Sequence, residues 1–233
     1  MICYKQILLT ISLTNLLFAQ QKQNWVDSTY HSLTLEQKIG QLFMPMVVSQ
    51  GDQNHYQKAT SSIEKYHLGG IIFSKGTLAE QVHLTNEFQN ISSVPLLIAM
   101  DAEWGMAMRI GDVSPFPFQM TLGAIQNDSL LYELGQLMAN RQRRVGVHLN
   151  FAPVVDVNTN SKNPVIGLRS FGSDPKLVSQ KGGMLVRGMQ DGGLMTSIKH
   201  FPGHGNTSTD SHHTLPLVNH DINHLNRIEL FPF

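Results

Sequence analysis

The chain has 233 residues, with 17 Lys and Arg against 17 Asp and Glu, and only 15% of its residues are charged. This length fits one globular domain or two small ones. The formal net charge of zero, with no stripe of Lys and Arg, excludes a typical nucleic-acid binder because phosphates would find no basic footprint.

The amino terminus predicts an export signal. Lys5 precedes an apolar run, and the small residue Ala19 follows it before a polar stretch. The run is shorter than the ~20 apolar residues that span a bilayer, and an amphipathic first helix is the alternative. We expect residues 1–19 to be a signal peptide, residues 20–34 an extension, and the protein to be periplasmic or secreted, without stable membrane insertion. Cleavage would remove Cys3, the sole cysteine, and with it any disulfide or thiolate site.

Beyond the extension, short apolar runs alternate with helix-periodic stretches. The predicted strands are 42–48, 70–73, 95–100, 147–157 and 195–198, and the predicted helices are 59–67, 79–91, 129–145 and 175–190. The last two helices open on cap signals, at Asp128 with Ser129 and at Asp174. Alternating strands and helices predict parallel βα units, and unbroken apolar runs fit strands buried on both faces.

Two architectures share this order, a doubly wound open sheet and a (β/α)8 barrel. An open sheet that binds a nucleotide would show a glycine-rich turn after its first strand, and neither phosphate-binding motif occurs. Polar clusters instead follow three of the strands, at Asp101 with Glu103, at Asp156, and at Lys199 with His200. Because the carboxyl ends of barrel strands converge on one mouth, we favour the barrel.

The densest group of chemically active residues lies at 199–216, which holds four of the eleven histidines with two Pro and two Gly. The Pro and Gly between the first two histidines break any helix, which excludes the helical zinc-protease motif. Asp210 stands two residues before His212, so its carboxylate can orient the imidazole and leave the other ring nitrogen to move a proton. We interpret this pair as an acid/base dyad, whereas a hydrogen bond to the barrel rim explains His204 equally well.

Several stretches of the chain resemble, in order, the motifs of one known family. They are Ile98-Ala-Met-Asp-Ala-Glu-Trp-Gly105 with Arg109, then 150–157, 167–175, Lys199-His-Phe-Pro-Gly-His-Gly205, 210–212 and 215–216. The family is glycoside hydrolase family 3, in its bacterial β-N-acetylglucosaminidase (β-N-acetylhexosaminidase) branch. The resemblance covers essentially residues 35–233, and it is specific because several motifs match in the same order.

The resemblance implies an α/β fold of the (β/α)8 TIM-barrel type. It implies removal of terminal β-linked N-acetylhexosamine from glycans or cell-wall fragments, with retention of configuration through a covalent glycosyl-enzyme. In this scheme His212, oriented by Asp210, protonates the leaving oxygen and later deprotonates water. Five side chains would hold the sugar hydroxyls in the barrel mouth: Asp101, Arg109, Arg169, Lys199 and His200. The implied partner is a glycan that contains N-acetylglucosamine, with no cofactor and no metal ligand.

Two features depart from the family pattern. Trp104 stands where many relatives have Gly, and packing on the rim explains it as well as stacking on a sugar. No position matches the nucleophilic Asp, which in the family lies beyond the dyad, and about five of eight βα units can be counted. We therefore expect residues 35–233 to be a C-terminally truncated barrel that is inactive by itself.

Asp156 and Asp174 are expected to be structural, as a strand-end hydrogen bonder and a helix cap.

Two other functions stay open. One is a metal-dependent hydrolase on the same barrel, with a ligand set of Asp101, His200, His204 and His212. The other is a non-catalytic sugar-binding protein, against which the dyad counts. The sequence also leaves the natural substrate open between a peptidoglycan fragment, a chitin oligomer and a host glycan.

Overall fold

The structure, a computed structural model, describes residues 24–233. The predicted signal peptide, residues 1–19, lies outside the described residues. Residues 24–32 are helical, so the predicted extension over 20–34 includes a helix. None of the helices within 24–233 has the length and apolar content that crossing a bilayer requires.

Within the described residues, five parallel strands form one sheet in chain order. They are β1 (Met46–Val48), β2 (Gly70–Ser74), β3 (Leu97–Met100), β4 (Leu149–Asn150) and β5 (Met195–Thr196). Each strand pairs with the next along the chain, as Ala99 does with Leu149. This order is that of consecutive barrel strands and differs from a doubly wound sheet, in which the order reverses. In this part of the chain β1 and β5 do not pair with each other, so the sheet is not closed.

Helices connect and cover the strands. They are α1 (Leu35–Gly40), α2 (Gln53–Tyr66), α3 (Leu78–Ile91), α4 (Gln119–Gly123), α5 (Ser129–Arg143), α6 (Pro175–Asp191) and α7 (Ile222–Arg227). Two 3-10 turns lie at Met106–Met108 and Gly167–Arg169. The short helices α1, α4 and α7 were not predicted, because five or six residues are too few for an apolar pattern to repeat at the helical period.

The core lies between the sheet and the helices. Phe73 of β2 and Phe88 of α3 stack nearly parallel, with ring centroids 6.4 Å apart. Helices α5 and α6 approach closely at glycine, since a Cβ at Gly188 would lie 2.1 Å from the Tyr132 carbonyl oxygen. The central strands are fully buried at residues of both faces, as predicted for parallel strands, among them Ile71, Phe73, Ile98, Ala99 and Met100.

Four predicted strands are longer than the paired strands of the structure, although the segment 95–100 exceeds β3 by only two residues. The segment 42–48 pairs only over β1, since its first residues lie in a turn and loop. The segment 147–157 pairs only over β4, after which Val154 makes a single isolated bridge. Pro153 carries no N–H that could extend the ladder. The fifth strand likewise pairs over two residues rather than over 195–198.

Two helices show how side-chain caps set their first residue. The helix predicted over 59–67 begins six residues earlier, because the Asp52 carboxylate accepts a hydrogen bond from the His55 N–H at 2.8 Å. Asp174 caps α6 as predicted, accepting from the Lys176 N–H at 3.1 Å. The first turn of α2 consists of polar residues, so the spacing of apolar residues does not indicate where this helix begins.

Asp128 is the N-cap residue of α5, as predicted, but its side chain makes no capping hydrogen bond. The Asn127 side-chain oxygen accepts the Ser129 N–H at 3.1 Å in its place. The Asp128 carboxylate instead contacts the side chains of Lys181 and Gln180 from α6. The Asp128 carboxyl pKa lies below its usual value, mainly because of the hydrogen bond from Lys181. The Asp128 carboxylate therefore binds side chains of α6 and does not accept a backbone N–H of α5.

Candidate active site

The carboxylate of Asp101 lies at the carboxyl end of β3 between two cations. Its Oδ1 accepts from Lys199 Nζ at 2.5 Å, and its Oδ2 accepts from Arg109 Nη2 at 2.5 Å. Arg109 also donates from Nε to the Asp101 backbone oxygen at 3.0 Å. The side chain of Asp101 remains 24% exposed, so a ligand can still reach its oxygens.

The turn between these groups requires glycine. Gly105 has φ +82, and a Cβ there would lie 2.6 Å from the Phe116 ring. The chain then enters the 3-10 turn that ends at Arg109. This tight turn returns the Arg109 side chain to Asp101, eight residues back.

Glu103 lies beneath Asp101 and is 1% exposed. Its carboxylate accepts a bidentate pair of hydrogen bonds from Arg169, Nε to Oε2 at 2.9 Å and Nη2 to Oε1 at 2.7 Å. Lys199 Nζ lies 2.8 Å from Oε1 and thus joins Glu103 to Asp101. Burial alone would raise the pKa of Glu103, but the hydrogen bond from Arg169 and the charges of Lys199 and Arg169 outweigh it and hold that pKa below its usual value.

The sequence places Glu103 in the polar cluster that follows the third strand but predicts no separate role for it. Its spacing from Asp101 is the one feature of the sequence that indicates a place in the site. It stands two residues after Asp101, which in extended chain places both carboxylates on the same side.

His200 connects Arg169 to the fully buried Asp156. The His200 Nδ1 lies 2.6 Å from Asp156 Oδ2, and its Nε2 lies 3.2 Å from Arg169 Nη2. Because a guanidinium can only donate, Nε2 accepts and Nδ1 carries the ring proton toward Asp156. Asp156 Oδ1 also accepts the His204 backbone N–H at 2.6 Å. The structure therefore shows the strand-end hydrogen bonding that was predicted for Asp156.

His204 is buried and holds the loop to its surroundings. Its Nδ1 lies 2.5 Å from Thr207 Oγ1, and its carbonyl oxygen accepts from Asn163 Nδ2 at 2.7 Å. These contacts agree with the structural interpretation of His204, whose buried Nε2 has no hydrogen-bond partner within residues 24–233.

Asp210 and His212 are in contact, as their spacing predicts. Asp210 Oδ1 accepts the His212 backbone N–H at 2.8 Å and lies 2.6 Å from its ring Nδ1. The backbone hydrogen bond, followed by the one from the ring, lowers the pKa of the Asp210 carboxyl. The imidazole is 77% exposed. Within residues 24–233 no hydrogen bond of this pair reaches Asp101 or its partners, so the structure does not join the two groups.

Trp104 packs on the rim of the mouth. Its ring meets that of Phe118 edge to face with centroids 4.8 Å apart, and its carbonyl oxygen accepts the Phe116 N–H at 3.0 Å. The structure thus shows the packing interpretation, and a sugar-stacking role stays a prediction.

The metal-dependent alternative gains no support from this geometry. Both nitrogens of His200 are engaged, and Asp101 is held by two cations. In the described part of the chain, the residues whose potential ligand atoms converge lie elsewhere, at His220, His224 and Glu229. The predicted ligand set of Asp101, His200, His204 and His212 does not form such a group.

Comparison with known proteins gives consistent matches. Beta-hexosaminidase A of Pseudoalteromonas piscicida is 38% identical over 184 residues, which are 73% of this chain and 31% of that protein. A beta-hexosaminidase of Thiobacillus denitrificans is 36% identical over 174 residues, 71% of this chain and 48% of that protein. The chain thus spans about a third to a half of the length of these relatives.

Solved structures show the same likeness in three dimensions. A glycoside hydrolase family 3 β-N-acetylglucosaminidase from Paenibacillus sp. str. FPU-7 superposes with a TM-score of 0.77 at 41% identity, over 86% of this chain and 39% of that one. Native NagZ from Neisseria gonorrhoeae superposes with a TM-score of 0.70 at 27% identity, over 81% and 57%. These matches confirm the predicted α/β fold of TIM-barrel type.

The family itself is shown by a match over most of the chain. Residues 34–233 match the Glycosyl hydrolase family 3 N terminal domain. The matched range begins within one residue of the predicted domain start. The chain therefore belongs to glycoside hydrolase family 3, whose N-terminal domain it carries over residues 34–233.

Proposed function

We propose that this chain supplies the sugar site and the acid/base dyad of a retaining glycoside hydrolase that removes terminal β-linked N-acetylhexosamine from glycans or cell-wall fragments. One observation carries the proposal. The Asp101 carboxylate lies at the strand ends between Arg109 and Lys199 and remains open to a ligand. The names of the relatives, β-hexosaminidase and β-N-acetylglucosaminidase, support the class of substrate.

The cluster suits the hydroxyls of a sugar. A hydroxyl both donates and accepts, so one that donates to Asp101 can accept from Lys199 or Arg109. Hydrogen bonds with one charged partner are about twice as strong as neutral ones. Arg169, fixed by Glu103, extends the donor surface beside them. His200 accepts from Arg169 through Nε2 and donates to Asp156 through Nδ1, so it holds Arg169 in place and adds no free donor.

The dyad supplies proton transfer in this proposal. The His212 imidazolium gives its proton to the glycosidic oxygen as the bond from that oxygen to the sugar breaks and the nucleophile bonds to the sugar. Asp210 holds the Nδ1 proton and stabilises the charged ring. The neutral ring then takes a proton from water, which displaces the nucleophile. We place that nucleophile outside residues 1–233, because no residue here matches it.

Binding of N-acetylglucosamine tests the site separately from turnover. We expect Asp101→Asn to weaken binding about 10- to 150-fold, which is what losing a hydrogen bond to a charged group costs. Calorimetry or ligand-observed NMR on the 233-residue chain measures it. Asp191→Asn is the control, since Asp191 ends α6 four residues before β5 begins and so lies at the amino ends of the strands, away from the mouth. Equal affinity in the wild type and Asp101→Asn would contradict the assignment.

We also propose export through residues 1–19. In a bacterial host the periplasmic form is expected to begin at Gln20, as read from its intact mass. Leu13→Arg interrupts the apolar run and is expected to keep the chain unprocessed in the cytoplasm. Wild-type chain found only in the cytoplasm with residues 1–19 attached would refute this proposal.

A further inference from the structure

A second cluster of polar side chains, made of His220, His224 and Glu229, lies apart from the Asp101 site. The three residues each offer a ligand atom, and these atoms all lie within 4.8 Å of one another. The two imidazoles stack with centroids 3.8 Å apart, and His224 Nε2 lies 3.7 Å from Glu229 Oε1. Nothing in the proposed hydrolysis uses this cluster.

Glu229 is the feature that calls for a ligand. Its side chain is 1% exposed, and within residues 24–233 neither carboxylate oxygen has a hydrogen-bond partner. Burying a carboxylate without a partner is costly, and native proteins nearly always pair such groups or place a cation beside them. Oε1 of Glu229 lies nearest to Nε2 of His224, so the unsatisfied carboxylate faces the two imidazoles.

The donor set suits a zinc-class ion. Two imidazoles and one carboxylate are a common ligand set of Zn²⁺, with bonds of about 2.1 Å. A tetrahedral ion of that size separates its ligand atoms by about 3.4 Å. Since no two ligand atoms are more than 4.8 Å apart, each separation needs to shorten by at most about 1.4 Å, through rotation of the two half-buried rings.

The position of the cluster links it to the dyad loop, residues 207–219. A Cβ at Gly203 would lie 2.6 Å from Glu229 Cβ, so the chain entering this loop packs on the cluster. His220 Nε2 lies 3.1 Å from Asn206 Oδ1, which joins the residue before the loop to the residue after it. Both ends of the segment that carries Asp210 and His212 thus meet at the cluster.

We propose that His220, His224 and Glu229 bind a divalent zinc-class ion that fixes the two ends of the dyad loop to each other. Asn206 is then a positioning residue that orients the His220 ring from outside the site. The ion neutralises the Glu229 carboxylate and takes no part in sugar chemistry.

Zinc binding to the 233-residue chain tests this proposal. After chelator treatment and desalting, competition against a chromogenic zinc indicator is expected to give one ion per chain, and Co²⁺ is expected to give a tetrahedral visible absorption band. We expect His220→Ala and Glu229→Gln each to weaken zinc binding by more than about 100-fold, the upper range for losing even an outer partner of a ligand.

Matched controls separate this cluster from the exposed dyad. His213→Ala and Asp210→Asn are expected to leave zinc affinity unchanged. An affinity loss confined to Asp210→Asn, or unchanged affinity in His220→Ala, would overturn the proposal, as would a wild type that binds no zinc. Circular dichroism monitors folding, and if Glu229→Gln unfolds, the half-buried His220→Ala decides the result.

Proteolysis measures the effect on the loop. Zinc is expected to slow cleavage within 207–219 in the wild type and to have no such effect in His220→Ala. Equal cleavage rates with and without bound zinc in the wild type would show that the ion does not hold the loop.

Discussion

The 233-residue chain by itself is expected to release no chromophore from a chromogenic β-N-acetylglucosaminide. Retaining hydrolysis needs a nucleophile that bonds to the sugar as well as an acid that protonates the leaving oxygen. The family resemblance assigns the acid to His212 and Asp210 and assigns the nucleophile to no residue of this chain. Absorbance of the released phenol, followed against a blank without protein, measures the result.

A polypeptide that also supplies the nucleophile gives the positive counterpart. In it, His212→Ala is expected to lower kcat about 100- to 10,000-fold, the usual contribution of a positioned acid/base. The loss is expected to be smaller for a substrate whose leaving group is acidic, since such a group departs with less protonation. His213→Ala, at the adjacent exposed position, is the control and is expected to change kcat little.

The outcome that would contradict the assignment is specific. Turnover by the 233-residue chain that disappears in His212→Ala would show that the nucleophile lies within these residues. Turnover unaffected by His212→Ala in the longer polypeptide would remove the dyad from the mechanism. In the second case the proposed sugar site at Asp101 would be tested only by the binding experiment with Asp101→Asn.

The sequence predicts the mouth of the barrel well, because parallel strands bring their carboxyl ends together. Asp101 follows the third strand and Lys199 the fifth, and the structure places their side chains 2.5 Å apart. The motif with Asp210 and His212 is also local, so a spacing of two residues is enough to predict the contact. Both predictions depend on chain geometry alone.

Contacts between distant segments were less predictable. Arg169 was predicted to hold sugar hydroxyls, yet its strongest contact is with Glu103, 66 residues away. The Asp128 side chain makes no capping hydrogen bond to α5 for the same reason, since Lys181 of α6 contacts it across 53 residues. The spacing of apolar residues and the type of cap residue predict local structure. These ion pairs instead join segments that become neighbours only when the helices and strands pack.

Glu103→Ala is expected to lower the free energy of unfolding by about 3–5 kcal/mol, the range for removing one partner of a buried ion pair. The loss leaves the Arg169 guanidinium, held by two hydrogen bonds to this carboxylate, without its counterion. Lys199 retains Asp101, so the penalty falls mainly on Arg169. Urea unfolding of the 233-residue chain measures the change.

The controls vary charge and burial separately. Glu87→Gln removes an exposed carboxylate on α3, whose partner His83 is 3.8 Å away, and is expected to change the free energy of unfolding by less than about 1 kcal/mol. Glu103→Gln keeps the shape and part of the hydrogen bonding but loses the charge, so an intermediate loss is expected. A Glu103→Ala variant within about 1 kcal/mol of the wild type would mean that the pair contributes little net stability.

The pH dependence follows from the sign of the pKa shift. The pKa of Glu103 is lowered in the folded chain from its ordinary 4.5, so the folded state favours the charged form more than the unfolded state does. The contribution is therefore complete well above pH 4.5 and is lost as the pH falls toward the lowered folded value. The difference in unfolding free energy between wild type and Glu103→Gln should stay constant near neutral pH and shrink in acid. In the proposed sugar site, Glu103 acts on the ligand only through Arg169 and Lys199. Weaker N-acetylglucosamine binding in Glu103→Gln would therefore identify Glu103 as a positioning residue for the mouth.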